Sequence, residues 1–419
     1  MSHTWKVYFL SCVLGTASLF TATPVVADWP QFLGPQRNGI SSETGLLDTW
    51  PEGGPKEVWR VNGGPGLSGL AIAGGKLTTL VQHDDQQWVL CLEADTGRKL
   101  WETPFAAAYA NGQGDGPRAT PTMLDEQLYV YGGDGTLAAL QIKDGKELWK
   151  VAVPKSLGGK PADYGMACSP LVVGNLVIVS AGVQGATLVA YDRLKGELAW
   201  KAKVGNDTAG YSAPILFNLA GKPQVAAFTG NSAVGISPDQ GTVLWQFPYT
   251  TDYDCNVASP VVIGENLLIS SGENHGSTLL KFTADGDKFQ ASPVWESVGS
   301  SSKLRSEWQT SILLDGHLYG LDNVGSAGPV THLVCINATT GERVWQKARF
   351  GKSNLIAADG KLFLSTMKGE LVVVRASPTK YEELGRSTVL QSTRQAPALA
   401  GGLLYLRDDQ HIVCLNVKK

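Results

Sequence analysis

Charge is scarce in this sequence, and so are helical patterns, long apolar runs and paired cysteines. Asp, Glu, Lys and Arg make up 17% of the 419 residues, where about 25% is usual. The signs also balance, 35 Lys+Arg against 38 Asp+Glu, for a net charge of −3. Without a basic field there is nothing to hold a phosphate backbone, so nucleic acid is not an expected partner. No segment has the length of apolar sequence that crosses a bilayer. Beyond the amino terminus the cysteines are Cys91, Cys168, Cys255, Cys335 and Cys414. An odd number at such wide intervals is not a disulfide framework, and no C-x-x-C or C-x-x-C-H occurs for metal, redox or haem chemistry. His83, His275, His317, His332 and His411 lack ligand spacing, and no G-x-S-x-G nucleophile elbow is present. Gly112-Gln113-Gly114-Asp115-Gly116 precedes a strand and reads as a loop, not a phosphate cradle.

Glycine, by contrast, is abundant: 49 residues, where an average composition would supply about 30. That suits many short strands joined by tight turns. The amino terminus has its own pattern. Lys6 precedes an apolar stretch from Val7 to Phe20, and Val25-Val26-Ala27 offers a small-residue cleavage site before Asp28. Residues 1–27 therefore read as a signal peptide cleaved at Ala27/Asp28, which places the mature chain in the periplasm or outside the cell. A lipoprotein reading through Leu10-Ser11-Cys12 is the weaker one, because Cys12 leaves too short an apolar region ahead of it.

Aligned on tryptophan, the chain repeats. Ala190-Tyr191-Asp192-Arg193-Leu194-Lys195-Gly196-Glu197-Leu198-Ala199-Trp200 sets the pattern A-x-D-x-x-x-G-x-x-x-W. Cys91 to Trp101, Ala139 to Trp149, Gly235 to Trp245 and Cys335 to Trp345 repeat it, and Trp295 closes a stretched copy. With Trp59, these tryptophans recur every 42 to 51 residues, a period of propeller blades or solenoid repeats. Inside one period the hydrophobic alternation is two, not 3.6. Gln127 to Tyr131 and Thr136 to Ile142 are strands separated by Gly132-Gly133-Asp134-Gly135, and Glu147 to Val151 follows the turn at Lys143–Lys146. Short openings containing a small residue and proline recur at Ala119-Thr120-Pro121, Cys168-Ser169-Pro170, Ser212-Ala213-Pro214, Ala258-Ser259-Pro260 and Gln395-Ala396-Pro397.

Four antiparallel strands per repeat without amphipathic helices is an all-β propeller blade. After Trp345 the strands at Gly360–Leu364 and Leu371–Val374 make a degenerate seventh blade ending near Leu384, and those at Gly402–Leu406 and His411–Asn416 begin an eighth. Cys414-x-Asn416 matches Cys335-x-Asn337 but no tryptophan follows, and the unused strand Lys56-Glu57-Val58-Trp59 supplies it. The expectation is an eight-bladed β-propeller of four-stranded antiparallel blades over residues 55–419, its last blade closed by the N-terminal strand, which removes a sticky edge. Residues 28–54 form an extended, Pro/Gly-rich segment before it.

This repeat resembles the tryptophan-docking repeat of the PQQ-like propellers, over essentially all of residues 55–419. That family includes quinoprotein alcohol dehydrogenases and the propeller subunit of the outer-membrane barrel assembly machinery, BamB. The opening from Asp28 to Gly39 also resembles the mature start of exported bacterial members. The resemblance implies that Trp59, Trp101, Trp149, Trp200, Trp245, Trp295 and Trp345 dock one blade on the next. Cys91, Cys335 and Cys414 share one repeat position with Ala139 and Ala190, so they read as small buried side chains and not a metal cluster.

Binding is expected where the loops leading into the inner strands converge on the axis. Those loops carry Arg118, Tyr164, Tyr211, Asp252, Asp254, Asn256, Arg305, Glu307, Trp308 and Arg394, with Tyr253 and Lys352 beside them. Asp252, Asp254 and Asn256 alternate, so in an extended strand all three would face one way and suit Ca²⁺. Two functions compete. In the first, the protein is a non-catalytic scaffold without cofactor, a monomer binding an envelope protein or a surface polymer. In the second, which the resemblance implies, PQQ and Ca²⁺ sit in the channel, the arginines hold the cofactor's carboxylates and Asp254 is the base. The vicinal cysteines and long roofing loops of those enzymes are missing here, and so is the acylated cysteine of the barrel-assembly lipoprotein. Glycan binding by the channel aromatics is a third possibility, and the scaffold is the preferred reading.

Overall fold

The computed structural model describes Met1, residues 28–325 and residues 330–419. The signal-peptide reading falls on residues that, Met1 apart, lie outside those described. Among the described residues thirty-two strands form eight separate four-stranded antiparallel sheets, seven of them with their strands in chain order. Blades 1 to 7 comprise residues 71–107, 122–152, 171–202, 215–248, 261–298, 312–347 and 353–388. Blade 8 takes three strands from residues 398–416, and its fourth is Lys56–Asn62. Trp59 pairs with Cys414 across that junction. The chain is thus an eight-bladed β-propeller closed by its N-terminal strand.

The sequence repeat has a geometric cause. In the outer strand pair of each regular blade the tryptophan faces the small residue of the motif: Cys91↔Trp101, Ala139↔Trp149, Ala190↔Trp200, Gly235↔Trp245 and Cys335↔Trp345. A bulge immediately before each tryptophan shifts the register, and a bulge re-aims the side chain that follows it. The indole thereby leans onto the neighbouring blade, donating Nε1–H to a carbonyl of that blade's last turn. Trp59, Trp101, Trp149, Trp200, Trp295 and Trp345 bond Ala94, Ile142, Arg193, Pro238, Ala338 and Ser377 at 2.8–3.1 Å. The motif glycine lies in the same turn under the ring. Gly97 has φ +71°, and a Cβ there would come within 2.7 Å of the Trp59 ring, so backbone and packing both demand glycine.

Two blades depart from this rule. Blade 5 replaces its tight turn with a long hairpin, Gly276–Asp285 and Lys288–Val298. Trp245 then bonds Gln224 Oε1 in its own sheet at 2.8 Å and packs on Phe282, ring centroids 4.7 Å apart. Blade 7 continues past Leu384 with a full fourth strand, Glu383–Thr388, in which Gly385, opposite Val373, stands where a tryptophan would. Being split, blade 8 has no continuous turn to receive one. The N-terminal segment fills both places: Trp50 lies directly on Gly385, and residues 45–47 pair with 417–419.

Upstream, the same segment straps the ring. Trp29 pairs with Ile72 of blade 1, Met123 N–H of blade 2 donates to Pro30 O, and Arg37 donates to Ser169 O and Pro170 O beside blade 3. Residues 39–41 then exchange backbone bonds with Ala357 of blade 7. Running from blades 1–3 to blade 7, the strap crosses one end of the central channel.

Trp200→Ala should cost roughly 3–5 kcal/mol by deleting a buried indole. Trp50→Ala, removing a half-buried ring, should cost about 1–3 kcal/mol. Denaturant unfolding measures both, and an unchanged midpoint for Trp50→Ala would mean that blades 7 and 8 dock without it.

Candidate functional site: a blind axial pocket

The small-residue and proline openings of the repeats sit around the axis, and their hydroxyls tie neighbouring blades together. Ser68 Oγ donates to Ala119 O at 2.8 Å, Thr120 N–H to Ser169 Oγ at 2.9 Å and Ser259 Oγ to Ala213 O at 2.9 Å. This stitched wall holds the loops that lead into the inner strands. Trp29, Phe32 and Leu33 of the strap close the channel beneath them, leaving a pocket of about 900 Å³ open on the opposite face. Each of the eight loops contributes to its lining: Leu67, Arg118, Tyr164, Tyr211, Tyr253 with Cys255, Glu307 with Trp308, Lys352, and Arg394.

The lining is electrically asymmetric. On one side the Arg118 guanidinium donates to Tyr164 O at 2.5 Å, to Gly114 O at 2.6 Å and to Gly116 O, with Tyr109 under it at 4.6 Å. Arg394 Nη1 donates to Gln113 O at 2.6 Å, so the two cations hold adjacent carbonyls of one loop. Burial lowers the Arg118 pKa, and the charge of Arg394 adds to this. Lys352 Nζ and Arg394 lie over the Trp308 ring at 4.4 and 5.0 Å. Next around the rim from Arg118 stand Tyr164 and Tyr211, ring centroids 5.6 Å apart, and then the exposed Tyr253. Glu307 accepts from Lys352 Nζ at 2.7 Å and from Asn323 Nδ2, and burial raises its pKa. Burial, with Glu273 and three other carboxylates nearby, pushes the Cys255 thiol up to about 11.

Of the candidate binding residues, Arg118, Tyr164, Tyr211, Glu307, Trp308 and Arg394 line this pocket; Asp252, Asp254, Asn256 and Arg305 do not. Arg305 is instead 3% exposed, with Nε and Nη2 on the Asp322 carboxylate at 2.7 and 3.0 Å, and Arg343 shares that carboxylate. Asn256 is buried too. Its amide donates to Thr229 O, Gly230 O and Tyr249 O, and its own carbonyl accepts Tyr211 N–H.

The extended strand expected at residues 252–256 is a 3₁₀ turn at Asp252–Asp254, with Tyr253 and Asp254 left-handed. That turn breaks the alternation on which the calcium set Asp252, Asp254 and Asn256 rested. Asp252 faces solvent beside His275, and Asp254 packs against Gly230. Among the described residues no three His, Cys, Asp or Glu side chains gather as a metal site. Sequence reasoning missed the floor and Glu273. The latter comes from the turn between the second and third strands of blade 5, which has no repeat signature.

Arg305→Ala should destabilise the fold by about 3 kcal/mol or more, because it strips a buried carboxylate of its bidentate partner; thermal unfolding checks it. At pH 8 the Cys255 thiolate fraction should be about 10⁻³, against roughly a quarter for an unperturbed thiol. Alkylation should therefore be slow and accelerate about tenfold per pH unit toward pH 11, as mass spectrometry of the labelled peptide would show.

Related proteins share this ring. A quinoprotein alcohol dehydrogenase, PedH of Pseudomonas putida, is 28% identical over 164 residues, 36% of this chain and 25% of its own length. The outer membrane protein assembly factor BamB of Nitrosomonas eutropha is 28% identical over 173 residues, 39% of this chain and 36% of its own. The chain thus spans only about a quarter to a third of these two relatives. The crystal structure of quinohemoprotein alcohol dehydrogenase from Comamonas testosteroni superposes with a TM-score of 0.69 at 14% identity, covering 94% of this chain and 81% of that one; at that identity the likeness is one of fold. The profile described as outer membrane protein assembly factor BamB matches residues 51–158 and 115–347, well over half of the sequence, and the chain belongs to this family of PQQ-like propellers.

Proposed function

We propose that this protein is an exported, non-catalytic binding propeller of the cell envelope that takes its partner, a protein or a surface polymer, at the open mouth of the axial pocket. The observation that carries this reading is the pocket itself. It is blind, fed by all eight loops, floored by apolar side chains and rimmed with aromatic and cationic groups. Such concave sites with a few convergent polar groups are where ligands bind, and Trp, Tyr and Arg are the side chains that dominate binding energy. The rigid ring beneath holds them in place at little entropic cost.

A second reading, alcohol oxidation with PQQ and calcium, has one observation in its favour: Arg118, Arg394 and Lys352 around Trp308 suit a planar group with carboxylates. The calcium half does not fit. Calcium takes six to eight oxygens, with carboxylates prominent among them, whereas Glu307 is already neutralised by the Lys352 ammonium at 2.7 Å and Asp254, packed against Gly230, is not part of the lining.

A photo-crosslinking residue in place of Tyr253, at the mouth, should capture an envelope component in the host, whereas one at Leu194, exposed in the last turn of blade 3, should not. A dye-linked alcohol assay with PQQ and Ca²⁺ should show no turnover. Turnover abolished by Glu273→Gln would replace this reading with a quinoprotein dehydrogenase.

A further inference from the structure

We infer that the axial pocket takes an acidic sugar unit, a carbohydrate ring bearing a carboxylate or sulfate, whose anionic group is held by Arg118 and Arg394 without a metal ion. This deepens the binding reading above and rests on it.

The anion requirement comes from the arginine pair. Arg118 and Arg394 are both half-buried, both anchored to the loop carbonyls of Gly114 and Gln113, and close enough to repel one another. Among the described residues neither has a carboxylate within ion-pairing distance, although many other cations of the chain do. The exposed Asp115 carboxylate acts on Arg118 from beyond that distance, through solvent. Two cations drawn together and partly desolvated without a paired counter-charge cost stability until an anion joins them. Arg118 spends each of its three nitrogens on a carbonyl and keeps one N–H on each Nη, whereas Arg394, with one such bond, keeps most of the planar fork that suits carboxylate or sulfate. Lys352 is differently placed. Paired with Glu307 and lying over Trp308, it supplies the fixed positive charge that a bound cation would otherwise bring.

The sugar ring follows from the remaining wall. A pyranose is amphipathic, with C–H faces and an equatorial belt of hydroxyls. Tyr164 and Tyr211 give it an aromatic face beside Arg118, whose guanidinium bonds the Tyr164 carbonyl, and both phenols are held protonated, their pKa values raised by burial. Asn354 adds an amide oxygen to the lining, its Nδ2 being held by Arg394 O, and the apolar strap lines the end away from the loops. Shape limits the way in. A pocket stopped by Trp29, Phe32 and Leu33 admits a free sugar or the end of a chain, whereas an internal stretch of peptide or polymer would need a through-channel or an open groove.

Calorimetric titration of the full mature protein decides the matter, using trigalacturonate, its methyl ester, a sulfated chondroitin disaccharide, hexaglutamate, and PQQ with Ca²⁺. Trigalacturonate or the sulfated disaccharide should bind, unaffected by EDTA. Esterification or Arg394→Gln should weaken trigalacturonate binding about tenfold or more. Trp308→Ala should weaken it as well, while Arg375→Gln, on the outer surface, should leave it unchanged. Saturable binding of galacturonate monomer as tight as the trimer would identify a free sugar acid as the ligand, and tighter trimer binding a polymer end; both support the inference. Equal binding of ester and acid, or no binding of any acidic sugar, overturns it. Hexaglutamate bound through Arg394 in place of the sugars also overturns it while leaving the binding-propeller reading intact. Calcium-dependent PQQ binding with alcohol turnover overturns both.

Discussion

The indole bond from one blade to the next is the contact on which this ring depends. A four-stranded sheet is too small to stand alone and presents two faces that must be covered. Each tryptophan covers part of one face with a large apolar surface and then spends its single donor on a carbonyl of the following turn, so that burial and hydrogen bonding set the same inter-blade angle. Its partners are constrained in turn: a small residue across the strand, a bulge before the ring, and a left-handed glycine beneath it. That is why the motif recurs while the surrounding sequence drifts.

The exceptions obey the same physics. Where blade 5 swaps its tight turn for a long hairpin, Trp245 keeps its bond by turning to Gln224. Where blade 7 offers Gly385, Trp50 arrives from outside the repeat. The segment that carries Trp50 also carries Trp29, whose ring stops the channel. Closure of the ring and closure of the pocket are therefore consequences of one strap, which couples the stability of the propeller to the shape of its candidate binding site.

Around the channel, the division of labour among cations is a matter of burial. Arg305 and Arg407 are nearly inaccessible and fully used by the fold, one on Asp322 and the other on Thr79 and backbone carbonyls. Arg118 and Arg394 sit higher, braced by carbonyls alone. An arginine near the axis thus becomes structural when the fold buries it and spends its donors, on a carboxylate for Arg305 and on Thr79 and carbonyls for Arg407, and stays available where it is only partly covered.

The local sequence determined the blades, their number and the split closure, because alternation, turn glycines and tryptophan spacing are short-range signals with one compatible geometry. It also placed Arg118, Tyr164, Tyr211, Glu307, Trp308 and Arg394 on loops at the axis, since every blade repeats the same path. What only the tertiary structure decided is where contacts span the ring. Asp322, on the second strand of the blade into which its loop leads, claims Arg305; a left-handed turn disperses Asp252, Asp254 and Asn256; and Trp50 and Trp29 reach blades that no repeat connects them to. Periodicity reports what each blade does for its neighbour, and it is silent about a strap that belongs to none of them.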